Sequence, residues 1–398
     1  MKSPRVLFPN TTATTQKQLK RMYPEISVHT SPHYYSYVGT QPNEPAALAS
    51  YIDDLSQTTE REQIKAIVPN NDVSTLVSAV LNQRSGLLGP SEESILLTNN
   101  KYLMRQDLGE TAISVTRDSI PEITEPMFLK APYSAFGLFA QKISSTEELA
   151  LYVQANWDDL VARNKNLFSI ILKHFSIIDD YPEAIEHMFY LEPLRESLPQ
   201  LTVEGLVQNG EVSVLAVVDS NMTSESGIFA SFTTPSQVRS EVQNALEKRL
   251  TEVVLKLGLD NTVFNVEFWC RDDDTVDLIE INPRISTSFA RLYQAAYGLD
   301  VRGLAVLVAL GKQITLPTEA PRCAGLYNLR LPERERADQH FDFAAAKTMP
   351  EVAVRFKPER IITRNGHYGD VVADVLLSGE SFAALEKQFS AYQKNLLL

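Results

Sequence analysis

The stretch Ile279–Arg284, with the sequence Ile-Glu-Ile-Asn-Pro-Arg, decides the fold of this chain. Glu267 stands thirteen residues before Glu280, and the acidic segment Arg271–Thr275 separates the two glutamates. Two apolar runs separated by such a turn are typical of a β-hairpin. Glu267 lies six residues before the centre of the turn and Glu280 lies seven after it. The two side chains are therefore expected nearly opposite each other.

Three oxygen donors are expected on one face of this hairpin. Side chains alternate between the faces of a strand, so Glu280 and Asn282 share a face, and Glu267 lies opposite. Hard divalent cations such as Mg²⁺ prefer oxygen ligands, and Arg284 just beyond the strand adds a planar cation suited to phosphate or carboxylate. The alternative is a surface hairpin with solvated acids. Both glutamates lie in strongly apolar strands, where an unpaired acid is rarely tolerated, and this favours a cation site.

The order of these motifs resembles the metal-binding core of the ATP-grasp enzymes. It runs from Glu-Phe through an acidic turn and Glu-Ile-Asn-Pro-Arg to a helix ending in Ala-Ala-Tyr-Gly-Leu-Asp. In that family two glutamates and an asparagine hold Mg²⁺ against the phosphates of ATP, and the arginine contacts the transferring phosphoryl group or the substrate carboxylate. The resemblance implies ATP and Mg²⁺ (or Mn²⁺) as cofactors. It also implies metal ligands at Glu267, Glu280 and Asn282 and a catalytic role for Arg284.

Composition limits the class of protein and its partners. The chain has 398 residues, 44% apolar and 22% charged, which is typical of a globular protein with two or three domains. No apolar run approaches the ~20 residues that cross a bilayer, and the N-terminus turns polar too early for a signal peptide. Two cysteines cannot form a disulfide framework, so we expect a cytoplasmic protein. A net charge of −13 argues against nucleic acid as the main partner.

The first 92 residues alternate between strand and helix patterns, which predicts a small parallel sheet. They contain no Gly-x-Gly-x-x-Gly, and no Gly-x4-Gly-Lys-Ser/Thr occurs in the chain, so neither a Rossmann dinucleotide site nor a P-loop is supported. The predicted strands and helices of this part are Arg5–Phe8, Ile26–Val28, Ala46–Leu55, Ile64–Val68 and Val73–Leu81, the last capped by Asn71 or Asp72.

The sequence pattern and the resemblance together predict that the chain has three parts. Residues 1–92 form an N-terminal α/β domain of the kind that often precedes the ATP-binding part of ATP-grasp enzymes, and residues 93–313 form the ATP-binding unit. Residues 314–398 begin at a proline-rich break and form a strand-rich subdomain that completes the active site. Its predicted elements are strands at Val352–Phe356 and Val371–Leu377 and a helix at Ser381–Leu396. The fold class is α/β, with an α+β ATP-binding unit.

Two lysines and a loop are the expected phosphate contacts. Lys130 ends a short apolar strand, where a solvated lysine is the ordinary interpretation. The resemblance instead implies that Lys130 reaches the α- and β-phosphates, and that Lys101, at a helix start, is the earlier ATP-contacting lysine. The loop Tyr133–Ala140 corresponds to the glycine-rich loop of the family. Ser134 and Gly137 fit that loop, whereas its other glycines are missing.

The adenine pocket is expected at Leu201–Val207. The resemblance implies that this segment, including Glu204 and Leu206, reads adenine, and that Glu211 binds the ribose hydroxyls. The alternative is that Glu204 and Glu211 are solvated hairpin acids. The apolar run Met188–Leu191, which leads into a further glutamate, is interpreted as a structural strand because no Gly-Glu follows it.

The implied activity is that of an ATP-dependent carboxylate–amine ligase. Such an enzyme forms an amide or peptide bond through an acyl phosphate and releases ADP and phosphate. Its partners would be a small carboxylic acid and an amine, in the first place amino acids, and analogy suggests a homodimer. A biotin-carboxylase-like enzyme using bicarbonate is an alternative, although Ser288 stands where those enzymes have a glutamate. A non-catalytic ATP-binding protein is another, favoured by the glycine-poor loop.

Overall fold

The computed structural model describes residues 3–31, 35, 45–135, 137–195, 198–223, 228–362 and 370–398. The strands in these ranges are β1 (Arg5–Phe8), β2 (Ser27–Thr30), β3 (Ala66–Ile67), β4 (Ile113–Val115), β5 (Met127–Lys130), β6 (Gln141–Ile143), β7 (Phe189–Pro193), β8 (Gln200–Gln208), β9 (Glu211–Met222), β10 (Phe229–Thr234), β11 (Thr262–Cys270), β12 (Val276–Asn282), β13 (Cys323–Arg330), β14 (Val352–Val354) and β15 (Val371–Gly379). The α-helices are α1 (Ala13–Met22), α2 (Pro45–Arg61), α3 (Asp72–Ser85), α4 (Glu92–Asn99), α5 (Lys101–Leu108), α6 (Thr146–Arg163), α7 (Ser169–Leu172), α8 (Ser240–Lys256), α9 (Ala290–Tyr297), α10 (Val301–Ala309), α11 (Phe343–Ala346) and α12 (Phe382–Leu396).

A small parallel sheet forms first, in the order β2-β1-β3, as the sequence predicts. Helix α3 follows β3 and begins at Asp72 with Asn71 as its N-cap, because the Asn71 side chain accepts the backbone N–H of Ser74 and satisfies one of the free donors of the first turn. Most of α3 is buried, from Val73 to Asn82. This helix therefore sits inside the molecule, and its N-terminus is held at the carboxyl edge of the sheet.

A four-stranded antiparallel sheet follows, in the order β4-β7-β5-β6. Lys130 is the last residue of β5 and lies opposite Tyr190 of β7, which confirms its predicted place at a strand end. Lys101 is the first residue of α5, also as predicted, and Asn100 caps that helix.

The third sheet has eight strands in the order β12-β11-β8-β9-β10-β13-β15-β14, each pair antiparallel. The predicted hairpin is β11–β12, and Glu267 lies directly opposite Glu280. The strands predicted near residues 352 and 371 are β14 and β15, and they extend the same sheet. The mixed α/β class, with a small parallel sheet and a large antiparallel one, is confirmed. The boundaries at residues 92 and 313 stay predictions.

Apolar packing joins the small parallel sheet to the large one. Val6 and Phe8 of β1 belong to one buried cluster with Leu206 of β8, Leu292 of α9 and Val306 of α10. This packing brings the carboxyl edge of the first sheet to the loop that follows β12. In the part of the chain that the structure describes, no helix is both long and apolar enough to cross a membrane.

Candidate active site

Glu267 and Glu280 form the centre of the site. They are register partners on β11 and β12, and a β-bulge follows Glu267. The Oε2 atom of Glu267 accepts a hydrogen bond from Gln200 Nε2 at 2.8 Å, and the Oε1 atom of Glu280 accepts one from Asn282 Nδ2 at 3.2 Å. The two carboxylates and the amide predicted to lie together are therefore neighbours on one sheet face.

The two carboxyl groups differ in their affinity for a proton. Burial raises the pKa of Glu267 to about 8, and the neighbouring charge of Glu280 adds to this rise. Burial also disfavours the charged form of Glu280, but the charge of Lys101 and the hydrogen bond from Asn282 hold its pKa below the usual value. Two acids that compete in this way would both be stabilised by a cation between them.

Lys101 lies beside the acid pair. Its Nζ atom is 3.3 Å from Glu280 Oε2 and donates a hydrogen bond to the backbone oxygen of Ser134 at 2.7 Å. The Oγ atom of Ser134 donates to the backbone oxygen of Ala131 at 3.2 Å. The loop is thus held to Lys101 by its backbone, and its residue Phe136 lies outside the described residues.

Lys130 pairs with an acid that the sequence analysis did not select. Its Nζ atom is 2.6 Å from Glu192 Oε1 on β7, and Arg105 Nε donates to Glu192 Oε2 at 3.2 Å. Burial works against the charged form of Glu192, but Lys130 and Arg105 hold its pKa below the usual value. Arg105 also donates to the backbone oxygen of Ile279 at 2.9 Å, one residue before Glu280. The sequence analysis interpreted β7 as a structural strand and did not select Glu192, whose partner Arg105 links this strand to β12. An acid in an apolar strand, the signal used for the hairpin, would have found it.

Arg284 extends from the loop after β12 toward the first sheet. Its Nε atom donates to Asp72 Oδ1 at 2.6 Å, across 212 residues of sequence. Its terminal nitrogens donate to Asn282 Oδ1 and to the backbone oxygen of Ile285, each at 3.3 Å. Asp72 is the second residue that the sequence analysis missed as a site residue, and no local pattern marks a contact over such a separation.

Glu204 and Leu206 do not lie in an adenine pocket, contrary to expectation. Strand β8 is interior, paired with β11 and with β9, so its backbone groups are used by the sheet and cannot read a base. The Glu204 carboxylate is fully buried and accepts hydrogen bonds from Asn265 Nδ2 and Ser286 N, both at 3.1 Å. Burial raises its pKa to about 8. Glu204 therefore anchors the loop that carries Arg284, and Leu206 packs in the apolar cluster.

Glu211 is also remote from the acid pair. It is exposed and follows the turn at Asn209 and Gly210 that connects β8 to β9. Thr202, the β8 partner of Glu267, is six residues from Gln208 at the end of the strand. At about 3.3 Å per residue this is roughly 20 Å. The structure therefore does not bring Glu211 to Glu267 and Glu280.

Comparison with known proteins identifies the fold that carries this site. A family model described as an ATP-grasp domain matches residues 180–291, the span that contains β7 to β12. Residues 180–291 of this chain are therefore similar to an ATP-grasp domain. No curated protein matches its sequence.

Several solved structures align with nearly the whole chain. The L-amino acid ligase from Bacillus licheniformis has a TM-score of 0.75 at 15% identity and covers 100% of this chain and 99% of its own. The phosphoribosylglycinamide synthetase from Anaerococcus prevotii has a TM-score of 0.67 at 13% identity, with 99% of both chains covered. The biotin carboxylase domain of the Hydrogenobacter thermophilus 2-oxoglutarate carboxylase, solved with MgADP, ADP and bicarbonate, has 0.64 at 14%, covering 99% and 90%. At such identities the likeness concerns the fold.

The oxygen donors of this site fit a hard divalent cation. Among the described residues no group of three or more His, Cys, Asp or Glu side chains is placed to hold a metal ion. The cluster instead offers two carboxylates and one amide, from Glu267, Glu280 and Asn282. Mg²⁺ is usually bound by one or two carboxylates together with substrate phosphates, rather than by an all-protein cage. The donor set therefore suits Mg²⁺ that arrives with a nucleotide.

Proposed function

We propose that this protein is an ATP-dependent ligase of the ATP-grasp kind that joins a carboxylic acid to an amine through an acyl phosphate. The observation that carries this proposal is the facing pair Glu267 and Glu280 with Lys101 3.3 Å away. The pair combines a place for a cation with a donor for phosphate oxygens. Since such chemistry depends on positioning and electrostatics, it needs no histidine or cysteine nucleophile.

Each site residue has a role in this proposal. Glu267, Glu280 and Asn282 would hold Mg²⁺ or Mn²⁺, which when bound neutralises phosphate charge. Lys101 and Lys130 would turn from their present acid partners to phosphate oxygens of ATP. The loop around Ser134, whose backbone is already hydrogen-bonded to Lys101, would make a further contact with the phosphates of ATP.

The bond changes follow from the substrates. A carboxylate oxygen of the acid attacks the γ-phosphorus of ATP in line, and the bond to the bridging oxygen breaks, which releases ADP. The amine nitrogen then attacks the acyl carbon, the bond to the phosphate oxygen breaks, and the amine loses a proton. Arg284 would stabilise the acyl phosphate and the oxyanion that forms during the second attack.

We propose a different segment for binding the adenine base. Glu204 and Leu206 are not proposed as nucleotide contacts, because they are buried in an interior strand whose backbone is already paired. Glu211 is not proposed either, because it is remote from Glu267 and Glu280. Residues Leu194 and Arg195 follow β7 outside the sheets and come directly after Glu192, the partner of Lys130. Their backbone takes no part in the strand pairing of the sheets, although the Leu194 carbonyl accepts a hydrogen bond from the Arg195 side chain at 3.3 Å, and this segment is the better candidate to read adenine.

Amino acids are the first substrates to test. The L-amino acid ligase from Bacillus licheniformis covers 99% of its own length in the alignment, and its name gives a substrate class for both the acid and the amine. A homodimer remains an expectation, which the mass of the purified protein in solution would test.

Bicarbonate is the second candidate acid, because a biotin carboxylase domain shares the fold. Ser288, the position where the resemblance expects a glutamate, is exposed in the loop before α9. A serine hydroxyl at neutral pH cannot act as the base that a carboxylate provides. This substitution makes the bicarbonate reaction the weaker proposal.

A phosphate-release screen over acid–amine pairs tests the function. The protein is mixed with Mg·ATP and pairs of amino acids, and ADP, phosphate and product mass are measured. Release of ADP that needs both an acid and an amine, with one new amide per ADP, is the expected result. Release that depends on bicarbonate and biotin would favour the carboxylase. Tight ATP binding without turnover on any pair would favour a binding protein.

A further inference from the structure

The N-terminal part of the chain contributes a charged residue to the proposed catalytic arginine. We infer that Asp72 is a positioning residue that orients the guanidinium of Arg284. This inference rests on the proposed function for its kinetic consequence, whereas the contact itself does not. The chain offers no nucleotide motif before residue 92, so a direct role of that part in the site is not evident from sequence.

The hydrogen bonds of Arg284 define its orientation. A guanidinium has five N–H donors in a rigid plane. Three are used, by Asp72 at 2.6 Å and by Asn282 and the Ile285 backbone at 3.3 Å. The two donors left without a partner among the described residues are one on each terminal nitrogen. Such a pair is suited to bidentate binding of a carboxylate or phosphate.

The bond to Asp72 contributes more to this orientation than the other two. It is the shortest of the three and the only one to a charged acceptor. Hydrogen bonds between charged groups are roughly twice as strong as neutral ones. The Arg284 side chain is 18% exposed, so water competes little with its partners. Without Asp72, rotation about the side-chain torsions would move the terminal donors away from the anion.

Asp72 is itself held firmly. It opens α3 directly after Asn71, whose side chain caps the helix and also exchanges hydrogen bonds with Asn10 at 3.0 Å. Asn10 lies just beyond β1 and is fully buried, and its backbone N–H donates a hydrogen bond to the Tyr51 hydroxyl oxygen at 2.9 Å. The carboxylate that faces Arg284 is thus fixed to the carboxyl edge of the parallel sheet.

A second polar contact joins the same two parts of the chain. The Tyr23 hydroxyl at the end of α1 donates to Asp300, the N-cap of α10, at 2.8 Å. Together with the apolar cluster shared by β1, α9 and α10, this contact keeps the first sheet seated on the large one. Replacing Asp72 should therefore disturb Arg284 while the two parts remain packed together.

The test compares Asp72→Asn with Asp53→Asn in the full-length protein. Asp53 also pairs with an arginine on α3, Arg84, at 3.0 Å, but that pair is exposed and remote from Arg284. Arg284→Ala and the double variant Asp72→Asn with Arg284→Ala complete the set. The first readout is the ¹⁵N–¹H spectrum of the arginine Nε–H groups, in which the Arg284 signal is assigned by its loss in Arg284→Ala. The second is kcat and KM for the acid, measured on the best substrate pair.

In Asp72→Asn we expect the Arg284 Nε–H to exchange with water at least 10-fold faster, with the signal unchanged in Asp53→Asn. We expect kcat to fall about 10-fold or more, KM for the acid to change less than threefold, and no further loss when Asp72→Asn is added to Arg284→Ala. An unchanged Nε–H signal would overturn the inference. So would a lower KM at unchanged kcat, which would mean that Asp72 only occupies the place of the substrate carboxylate. If the wild type joins no acid to any amine, the ligase proposal fails, and the spectrum still decides whether Asp72 orders Arg284.

Discussion

Glu280→Gln is the most direct perturbation of the proposed metal site. It keeps the size of the side chain and one oxygen but removes a negative charge. Lys101 Nζ lies 3.3 Å from Glu280 Oε2. At an effective dielectric constant of about 20, this separation corresponds to a gross attraction of about 5 kcal/mol. The same change removes the charge that helps to raise the pKa of Glu267, so Glu267 can ionise more readily and take over part of the attraction to Lys101.

These two effects oppose each other, so the fold should tolerate the substitution. We expect the free energy of unfolding to change by no more than about 1–2 kcal/mol. Turnover has no such compensation, because the site loses both a cation ligand and half of its carboxylate charge. Removing one preorganised electrostatic partner typically lowers kcat by about 10²–10³. We expect a loss of that size for Glu280→Gln at saturating ATP.

The assay couples ADP formation to a spectroscopic signal over a Mg²⁺ titration, with urea unfolding measured in parallel. Asp274→Asn is the matched control, since Asp274 is an acid in the turn of the same hairpin and its partner is Arg239, which has no proposed role in ATP binding. The control should keep near-normal turnover. Near-normal turnover in Glu280→Gln at any Mg²⁺ concentration, with the fold intact, would refute the assignment of Glu280 as a metal ligand.

The remaining predictions concern residues around the acid pair. Asn282→Ala should lower Mg·ATP turnover at least 10-fold with the fold intact. Arg284→Ala should lose turnover, while its affinity for ATP, measured by calorimetry, stays within a few-fold of wild type. A normal turnover rate in either variant would contradict the role proposed for that residue. Burial raises the pKa of Glu204 in the native state to about 8, from an ordinary value of 4.5. The native state therefore holds a proton that the unfolded state releases, so stability falls as pH rises between these values, by at most about 5 kcal/mol. Urea unfolding of Glu204→Gln from pH 5 to 9 should show a flatter profile than wild type, and parallel profiles would refute this. Asn71→Ala should lower stability by about 1–3 kcal/mol through loss of its cap and its bonds to Asn10, and a loss below about 0.5 kcal/mol in urea would contradict it.

The parts of the site that were predictable are those that local geometry fixes. Alternation along two strands of known length is sufficient to place Glu267 opposite Glu280 and Asn282 beside it. A polar cap before an apolar helix is likewise a local signal: it predicted Asn71 or Asp72 as the cap, and the structure shows that Asn71 is the cap. Lys130 at the end of its strand follows from the length of the apolar run.

The features of the site that the sequence did not predict depend on strand order and on contacts between distant residues. The segment around Glu204 has the pattern of a strand, but only the sheet order shows that β8 is interior and its backbone already paired. The neighbourhood of Asp72 and Arg284 arises from packing between residues 212 apart, which no local pattern encodes. Glu192 could have been predicted as a site residue, because it lies in an apolar strand as the hairpin glutamates do.

The continuity of the eight-stranded sheet has a consequence for limited proteolysis. Residues 311–322 are mostly exposed and lie outside any strand or helix, so a protease should cut there readily. The segment that follows is not released by such a cut, because β13 is hydrogen-bonded to β10 on one side and to β15 on the other. A nicked molecule would then migrate as two fragments under denaturing conditions and as one particle in native buffer. The same join is a natural place to divide the chain into two co-expressed pieces that reassemble through strand pairing.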